Sequence, residues 1–183
     1  MSWDKYFYDV CAAVAKNSKC LSRQIGAILV RDKTIIGSGY NGPPRGIPHC
    51  RERSVEGIDP FFTEKIKDMS VDKGYAVATF EIPKALEGAC PRKILGFKSG
   101  EGLEWCVAGH AERNCLINSA RLGISTMGTK MYMTCGIPCK DCMVEIINAG
   151  VEELIVTKFL FYDQMSEYLL RHSAIKVRVY DFT

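Results

Sequence analysis

Apolar positions recur in three distinct patterns along this chain of 183 residues. From Ser2 to about Lys16, Trp3, Phe7, Val10, Cys11 and Val14 return at three- and four-residue spacing, which draws one apolar stripe along a helix. Ile25 to Val30 is a continuous apolar run, Arg31, Asp32 and Lys33 supply a turn, and Thr34 to Tyr40 is a second run. Together they predict a β-hairpin. Periodicity fades from Asn41 to about Glu104. Gly and Pro cluster at Asn41 to Pro48 there, and only Phe61 to Lys73 carries a weak helical pattern.

The third pattern alternates. A helix is predicted over His110 to Leu122, stopped by Gly123, and a strand over Lys130 to Thr134. A helix over Cys139 to Ala149 closes at Gly150, and a strand follows over Leu154 to Thr157. A helix over Asp163 to His172 and a strand over Ile175 to Tyr180 end the series. Such α-β-α-β-α-β order implies a sheet with parallel strands covered by helices. The length suits one domain, 1–183, with an insertion at about 41–105. So long a stretch without periodicity calls for a physical explanation of its own.

Composition narrows the classes. Hydrophobic residues make up 47% and charged residues 25%, as in an ordinary globular protein. No run of about 18 apolar residues occurs, so neither a spanning helix nor a membrane partner is expected. The first ten residues lack a basic segment followed by an apolar one, so no secretory signal is expected. The net charge of +3 carries no basic run that would hold a polynucleotide. Nine cysteines cannot all pair with one another. With the cytoplasm as the expected compartment, thiols stay reduced, which leaves metal binding, catalysis or burial as their uses.

Two segments carry the chemistry. His110-Ala111-Glu112 opens one predicted helix, and Pro138-Cys139-Lys140-Asp141-Cys142 opens another. Zinc takes nitrogen and sulfur ligands in a tetrahedron, and a catalytic site keeps three protein ligands and leaves the fourth position to water. His110, Cys139 and Cys142 supply that set, and helix N-termini favour thiolate over thiol. Glu112 is left to carry protons from the attacking water to a ring nitrogen and a leaving amine, with C4 of cytosine as the atom attacked. Alone, HxE is a frequent chance pattern, and CxxC also suits a redox pair or half of a structural zinc site. The pair, in this order and on these elements, matches the H-x-E with P-C-x-x-C signature of zinc deaminases.

These segments, with Cys20-Leu-Ser-Arg-Gln-Ile-Gly-Ala, Gly39-Tyr-Asn-Gly-Pro-Pro-Arg-Gly and Ile146-Ile-Asn-Ala-Gly, resemble the cytidine deaminase superfamily and, within it, the deoxycytidylate deaminases. The resemblance runs along nearly the whole chain. It implies a three-layer α/β/α cytidine deaminase-like fold with a five-stranded mixed sheet. It implies hydrolysis of dCMP to dUMP and ammonia, which supplies dUMP for thymidylate synthesis. Close alternatives are a deaminase that also takes dCTP, or one acting on cytidine or an RNA base. A zinc-stabilised binding module is the reading outside enzymes, and it would not need Glu112.

By the same resemblance, Asn41 binds the sugar hydroxyl, although Asn41-Gly42 also reads as a plain turn. Ser22 and Arg23 take the 5′-phosphate, helped by Tyr162, with a solvated surface charge as the other reading of Arg23. The Ala111 N–H meets the cytosine carbonyl. A second, structural zinc would use Cys20 and Cys50. Ala108 stands where relatives carry a carboxylate, so Cys90 and Cys106 are the replacements and His49 a rival ligand. Cys11, Cys115 and Cys135 remain as core, and Gly136-Ile137 departs from the usual polar residue before Pro138. The resemblance also implies a homo-hexamer that responds to dCTP and dTTP with Mg2+. Arg121 sits at the interface in that picture, or is only an exposed helix charge.

Overall fold

The apolar stripe near the N-terminus becomes α1 (Trp3–Ala15), opened by Ser2, whose hydroxyl accepts the Lys5 N–H at 3.2 Å. In this computed structural model residues 2–53, 58–72, 88–98 and 100–180 are described. They form two compact units. The first comprises Met1–Ser18, Gln24–Asn41 and Gly109–Thr183, and the second Lys19–Arg23 and Gly42–Ala108.

In the first unit β1 (Gly26–Arg31) and β2 (Thr34–Tyr40) form the expected antiparallel hairpin. Its two-residue turn places both Asp32 and Lys33 at positive φ, 50° and 60°, as a type I′ turn requires. The alternating half gives α4 (Ala111–Arg121), β3 (Thr129–Met133), α5 (Lys140–Asn148), β4 (Val151–Val156), α6 (Gln164–Arg171) and β5 (Lys176–Val179). The sheet is five-stranded in the order β2-β1-β3-β4-β5. β1 pairs antiparallel with β2 and β3, while β3, β4 and β5 run parallel, so the sheet is mixed.

Side chains alternate across it as strand geometry demands. Ile28, Val30, Tyr132 and Ile155 pack on Phe7 and Cys11 of α1. Ala27, Leu29, Met131, Met133, Leu154 and Val156 pack on the opposite face, with Ala111 and Cys115 of α4 and Met143 and Ile146 of α5. Leu169 and Leu170 of α6 pack against the same cluster. One helix therefore covers one face and three cover the other, which is the expected α/β/α layering. β4 starts three residues earlier than its apolar run suggests. The polar Glu153 belongs to the strand, where it pairs with Lys130 Nζ at 2.7 Å and accepts from Arg178 Nε at 2.8 Å.

Arg178 also forks onto Asp4 of α1, with Nη2 donating to Oδ1 at 2.8 Å, and the Tyr132 hydroxyl donates to that same oxygen at 2.9 Å. The Arg178 hydrogen bond holds the Asp4 carboxyl below the usual carboxylate range. Burial pushes Glu153 up, but hydrogen bonds from Lys130 and Arg178 outweigh it and leave that carboxyl lowered too.

The second unit contains α2 (Pro60–Asp72), the short α3 (Pro91–Ile94) and a 3₁₀ turn at Leu103–Trp105. The periodicity of residues 61–73 thus becomes α2, whereas α3 and the 3₁₀ turn are too short to leave a period. The buried core of this unit among the described residues is Phe62, Ile66, Ile94 and Leu95. Arg53, 6% exposed, ties it together through Asp59 Oδ2 at 2.7 Å and the Trp105 carbonyl at 2.7 Å. Asp59 in turn caps α2 by accepting the Phe62 N–H at 3.0 Å.

Two outcomes are expected. A Cβ on Gly39 would stand 2.3 Å from the Cys115 nitrogen and 2.6 Å from the Ala111 oxygen, both backbone atoms that cannot yield. Gly39→Ala is therefore expected to force α4 off β2 at about 1–3 kcal/mol, lowering Tm by about 2–4 °C per kcal/mol; an unchanged melting curve would refute this packing. Depressed carboxyls contribute stability above their unfolded pKa values, and that contribution disappears as pH falls through the folded ones. Asp4→Asn is thus expected to lower the urea midpoint at pH 7, with the gap to wild type closing below about pH 4. A gap that persists at low pH would contradict the charge pairing.

Candidate functional site

The N-termini of α4 and α5 converge in the first unit. His110 is the residue before α4, in extended backbone at φ −70°, ψ 154°, and Cys139 stands likewise before α5 at φ −67°, ψ 165°. Cys142 lies in the first turn of α5 and is fully buried. His110 Nδ1 stands 3.3 Å from Cys142 Sγ and 3.4 Å from Cys139 Sγ. All three ligand atoms lie within 4.8 Å of one another, the one such group among the described residues.

The donor set and spacing fit zinc. Bonds of about 2.3 Å to sulfur and about 2.0–2.1 Å to nitrogen, set at tetrahedral angles, put N and S about 3.6 Å apart. Cys139 is lowered to about 4, first by the Cys142 hydrogen bond and then by His110. His110 is raised by its hydrogen bond to Cys139, and Cys142 is raised by its hydrogen bond to Cys139 and by burial. Zinc needs both sulfurs deprotonated and the imidazole neutral, so its binding would release protons from this group.

Glu112 is 5% exposed and stands outside the three-ligand group. Burial raises its carboxyl, His110 pulls it down, and Cys139 pushes it up. A buried carboxyl whose charged form is disfavoured suits uptake of a proton and its release to a substrate atom. Ala111, wholly buried, begins α4, where N–H groups have no intrahelical acceptor.

Three further residues fix this geometry, and sequence reading gave none of them a role. Arg113 forks onto Glu145, with Nε to Oε2 at 3.0 Å and Nη2 to Oε1 at 2.9 Å, and so bolts α4 to α5. Asp163 accepts the Ser166 N–H at 2.7 Å to cap α6 and the Lys140 N–H at 2.9 Å at the start of α5. The capping-box position of Asp163 is legible in sequence, but its second acceptor role needs the fold. Arg113 and Glu145 are 32 positions apart and leave no local signal.

The other expected site residues fall in both units. Asn41, 8% exposed, lies just past β2; its Oδ1 accepts the Ile25 N–H at 2.8 Å, and its carbonyl accepts from Ser18 at 2.6 Å. Tyr162 is about half exposed, one residue before Asp163. Arg121 is exposed at the last position of α4. Ser22 and Arg23 belong to the second unit, half-buried and exposed respectively.

Cys20, Cys50, Cys90 and Cys106 all belong to that second unit. Burial, then the charges of Cys90, Cys106 and Cys20, push the Cys50 thiol up to about 11, so those three lie within electrostatic reach of Cys50. His49 Nδ1 is buried without a hydrogen-bond partner among the described residues, beside Cys50. Cys11 and Cys115 are wholly buried and Cys135 nearly so, as expected of core thiols.

The chain is similar to proteins of known activity. The chain is 28% identical over 179 residues to deoxycytidylate deaminase of Schizosaccharomyces pombe, covering 98% of this chain and 44% of that protein. With 46% of the Saccharomyces cerevisiae enzyme covered, the chain spans about half the length of these curated relatives. It is 30% identical over 171 residues to deoxycytidylate deaminase of Enterobacteria phage T4, covering 90% of this chain and 82% of that one. The crystal structure of a cyanophage S-TIM5 dCMP deaminase in complex with dCMP and dUMP shares the fold. Its TM-score is 0.61 at 20% identity, over 96% of this chain and 95% of that one. A family model described as the cytidine and deoxycytidylate deaminase zinc-binding region matches residues 1–158, and the chain belongs to that family.

Proposed function

We propose that this chain hydrolyses dCMP to dUMP and ammonia and so supplies dUMP for thymidylate synthesis. The observation that carries the reading is the His110, Cys139 and Cys142 group with Glu112 buried beside it and outside it. His110, Cys139 and Cys142 hold a zinc ion. Zinc bound there supplies an activated water as nucleophile. As the water oxygen bonds to C4 of cytosine, Glu112 takes one proton of that water and gives it to the ring nitrogen; it then carries the second proton from the same oxygen to the amine, whose bond to C4 breaks to release ammonia. The Ala111 N–H donates to the cytosine carbonyl. Asn41 binds the sugar hydroxyl, with its side chain held in place by the Ile25 N–H on Oδ1. Ser22 and Arg23 grip the 5′-phosphate, for which a guanidinium fork is suited. Tyr162 adds a hydroxyl. These roles rest on the motif resemblance, and the activity rests on relatives such as the phage enzyme whose length the chain nearly fills.

A binding module without turnover has no use for a buried carboxyl, whose desolvation is costly. The sequence has no basic run to hold a polynucleotide, which favours a mononucleotide over RNA.

We read Cys20, Cys50, Cys90 and Cys106 as the ligands of a second, structural zinc, with His49 as the rival. Four thiolates make a closed site. The second unit buries few apolar side chains among its described residues, so a metal there would supply much of its cohesion. Arg121 is read with a subunit interface in a homo-hexamer responding to dCTP and dTTP with Mg2+. The exposed Ile117 and Leu122 on or beside the same helix suit such a contact. All nine cysteines are free, which suits the reducing cytoplasm as the compartment. Among the described residues no helix is long and apolar enough to cross a membrane.

Glu112→Gln is expected to lower turnover of dCMP by about 10²–10⁴-fold with zinc content unchanged. Ammonia release on dCMP, dCTP, cytidine and a tRNA tests the substrate in the same assay, and turnover of cytidine alone would overturn the nucleotide reading. Metal analysis is expected to find two zinc ions per chain in the wild type and one in Cys50→Ser, whose second unit becomes open to proteolysis. A single zinc in the wild type would remove the second site.

A further inference from the structure

We infer that Asn114 is a positioning residue that fixes Asn41 against the start of α4, an inference that rests on the reading of Asn41 as the sugar-hydroxyl ligand. Asn114 Nδ2 donates to the Tyr40 carbonyl at 2.8 Å and, more loosely, to the Gly109 carbonyl at 3.4 Å. Tyr40 immediately precedes Asn41, and Gly109 immediately precedes His110. One amide group therefore holds both chain segments that lead into the site. Only a donor serves there, since two carbonyl oxygens face it.

A second clamp one turn along shows that the match is systematic. Asn118 Nδ2 donates to the Ser38 carbonyl at 2.9 Å. The two asparagines are four residues apart on α4, and the two carbonyls are two residues apart on β2. Four residues of helix rise about 6 Å and two residues of strand about 6.8 Å, so the repeats are commensurate. β2 is an edge strand, and its outer side has no strand partner among the described residues. α4 lies flush on it because Gly37 and Gly39 carry no Cβ; one at Gly37 would meet Ser119 Oγ at 2.3 Å. The glycines allow the approach, and the asparagines set the register.

The geometry separates the two clamps by function. Asn118 holds the middle of β2, remote from the His110 turn. Asn114 holds the strand end, so its loss frees Asn41 to drift relative to Glu112 and the metal ligands. Asn41 itself stays tied to β1 through Ile25, which makes the expected defect one of aim and not of unfolding.

The test compares dCMP with 2′,3′-dideoxy-CMP, which lacks the one free sugar hydroxyl. Wild type is expected to prefer dCMP by roughly tenfold in kcat/KM, the scale of one lost hydrogen bond. Asn114→Ala is expected to lose at least two-thirds of that preference, mainly through KM for dCMP, while Asn118→Ala keeps it and loses only thermal stability. Full preference retained in a folded, zinc-loaded Asn114→Ala protein would overturn the inference. A wild type indifferent to the hydroxyl would instead overturn the role of Asn41. A wild type inactive on dCMP would overturn the proposed reaction. Hydrogen exchange at the Tyr40 and Asn41 amides reads the clamp without turnover, and faster exchange is expected in Asn114→Ala than in Asn118→Ala. Equal exchange in the two variants would count against the clamp. Should Asn114→Ala not fold, Asn114→Ser carries the same comparison.

Discussion

Two helix N-termini aimed at one point constrain everything else in the first unit. Their exposed N–H groups and positive dipole ends favour a thiolate at Cys139, yet the same positive ends disfavour each other at close range. Something must hold α4 and α5 together before any ion arrives. The Arg113–Glu145 fork does this across the helices, and Asp163 anchors the start of α5. Each is a partly exposed polar contact of modest strength, so their role is aim more than stability. Stability comes from the apolar layer beneath, where Ala111, Cys115, Cys142, Met143 and Ile146 are wholly buried. The ligands sit on backbone that the core has already fixed, which is why Nδ1 can wait within 3.4 Å of each sulfur and all three atoms within 4.8 Å of one another.

That arrangement carries an electrostatic cost that a bound cation relieves. The Cys139 thiol is lowered while His110 and Cys142 are raised, each first by a hydrogen bond within the group. Glu112, buried two residues from His110, feels the same field from both sides. The site is thus a set of coupled groups and not three separate ligands plus a base. The four cysteines of the other unit differ in kind: there burial and then the charges of Cys90, Cys106 and Cys20 push the Cys50 thiol up, and no imidazole is among the causes.

What the sequence made legible follows from the range of the interactions involved. Hairpin, helices and parallel strands were readable because apolar period is local: the Phe7–Cys11 stripe, the Ile28–Val30 alternation and the Gly123 and Gly150 stops each act within a few residues. The start of β4 was not, because Glu153 looks polar until Lys130 and Arg178 are brought beside it. His110, Cys139 and Cys142 were readable as a set because their residue types share one chemical use. Asn114 was in plain sight within the motif but had no assigned work, since its partners lie 74 residues away at Tyr40 as well as nearby at Gly109. Short elements such as α3 leave no period at all, and the chain between residues 73 and 87 lies outside the described residues.

Strand direction explains why residues so far apart in sequence share one edge of the sheet. β1 is antiparallel to both β2 and β3, so β2 runs in the same direction as β3, β4 and β5. The C-terminal ends of β2, β3 and β4 therefore emerge together, and they lead into Asn41, Cys139 and Tyr162 respectively. β1, the reversed strand, brings its beginning to the same edge, where the Ile25 N–H meets Asn41 and the Gly26 N–H meets Thr134 Oγ1 at 2.9 Å. Open α/β sheets place ligands outside the carboxyl ends of their strands. In this chain the reversal of one strand adds the hairpin's end to that edge, so Asn41 and the His110, Cys139 and Cys142 group need no long loops to meet. Were β2 parallel to β1, Asn41 would lie at the far edge, the seven-residue length of β2 away, or about 24 Å. The topology thus decides which side chains can cooperate before any side-chain contact is formed.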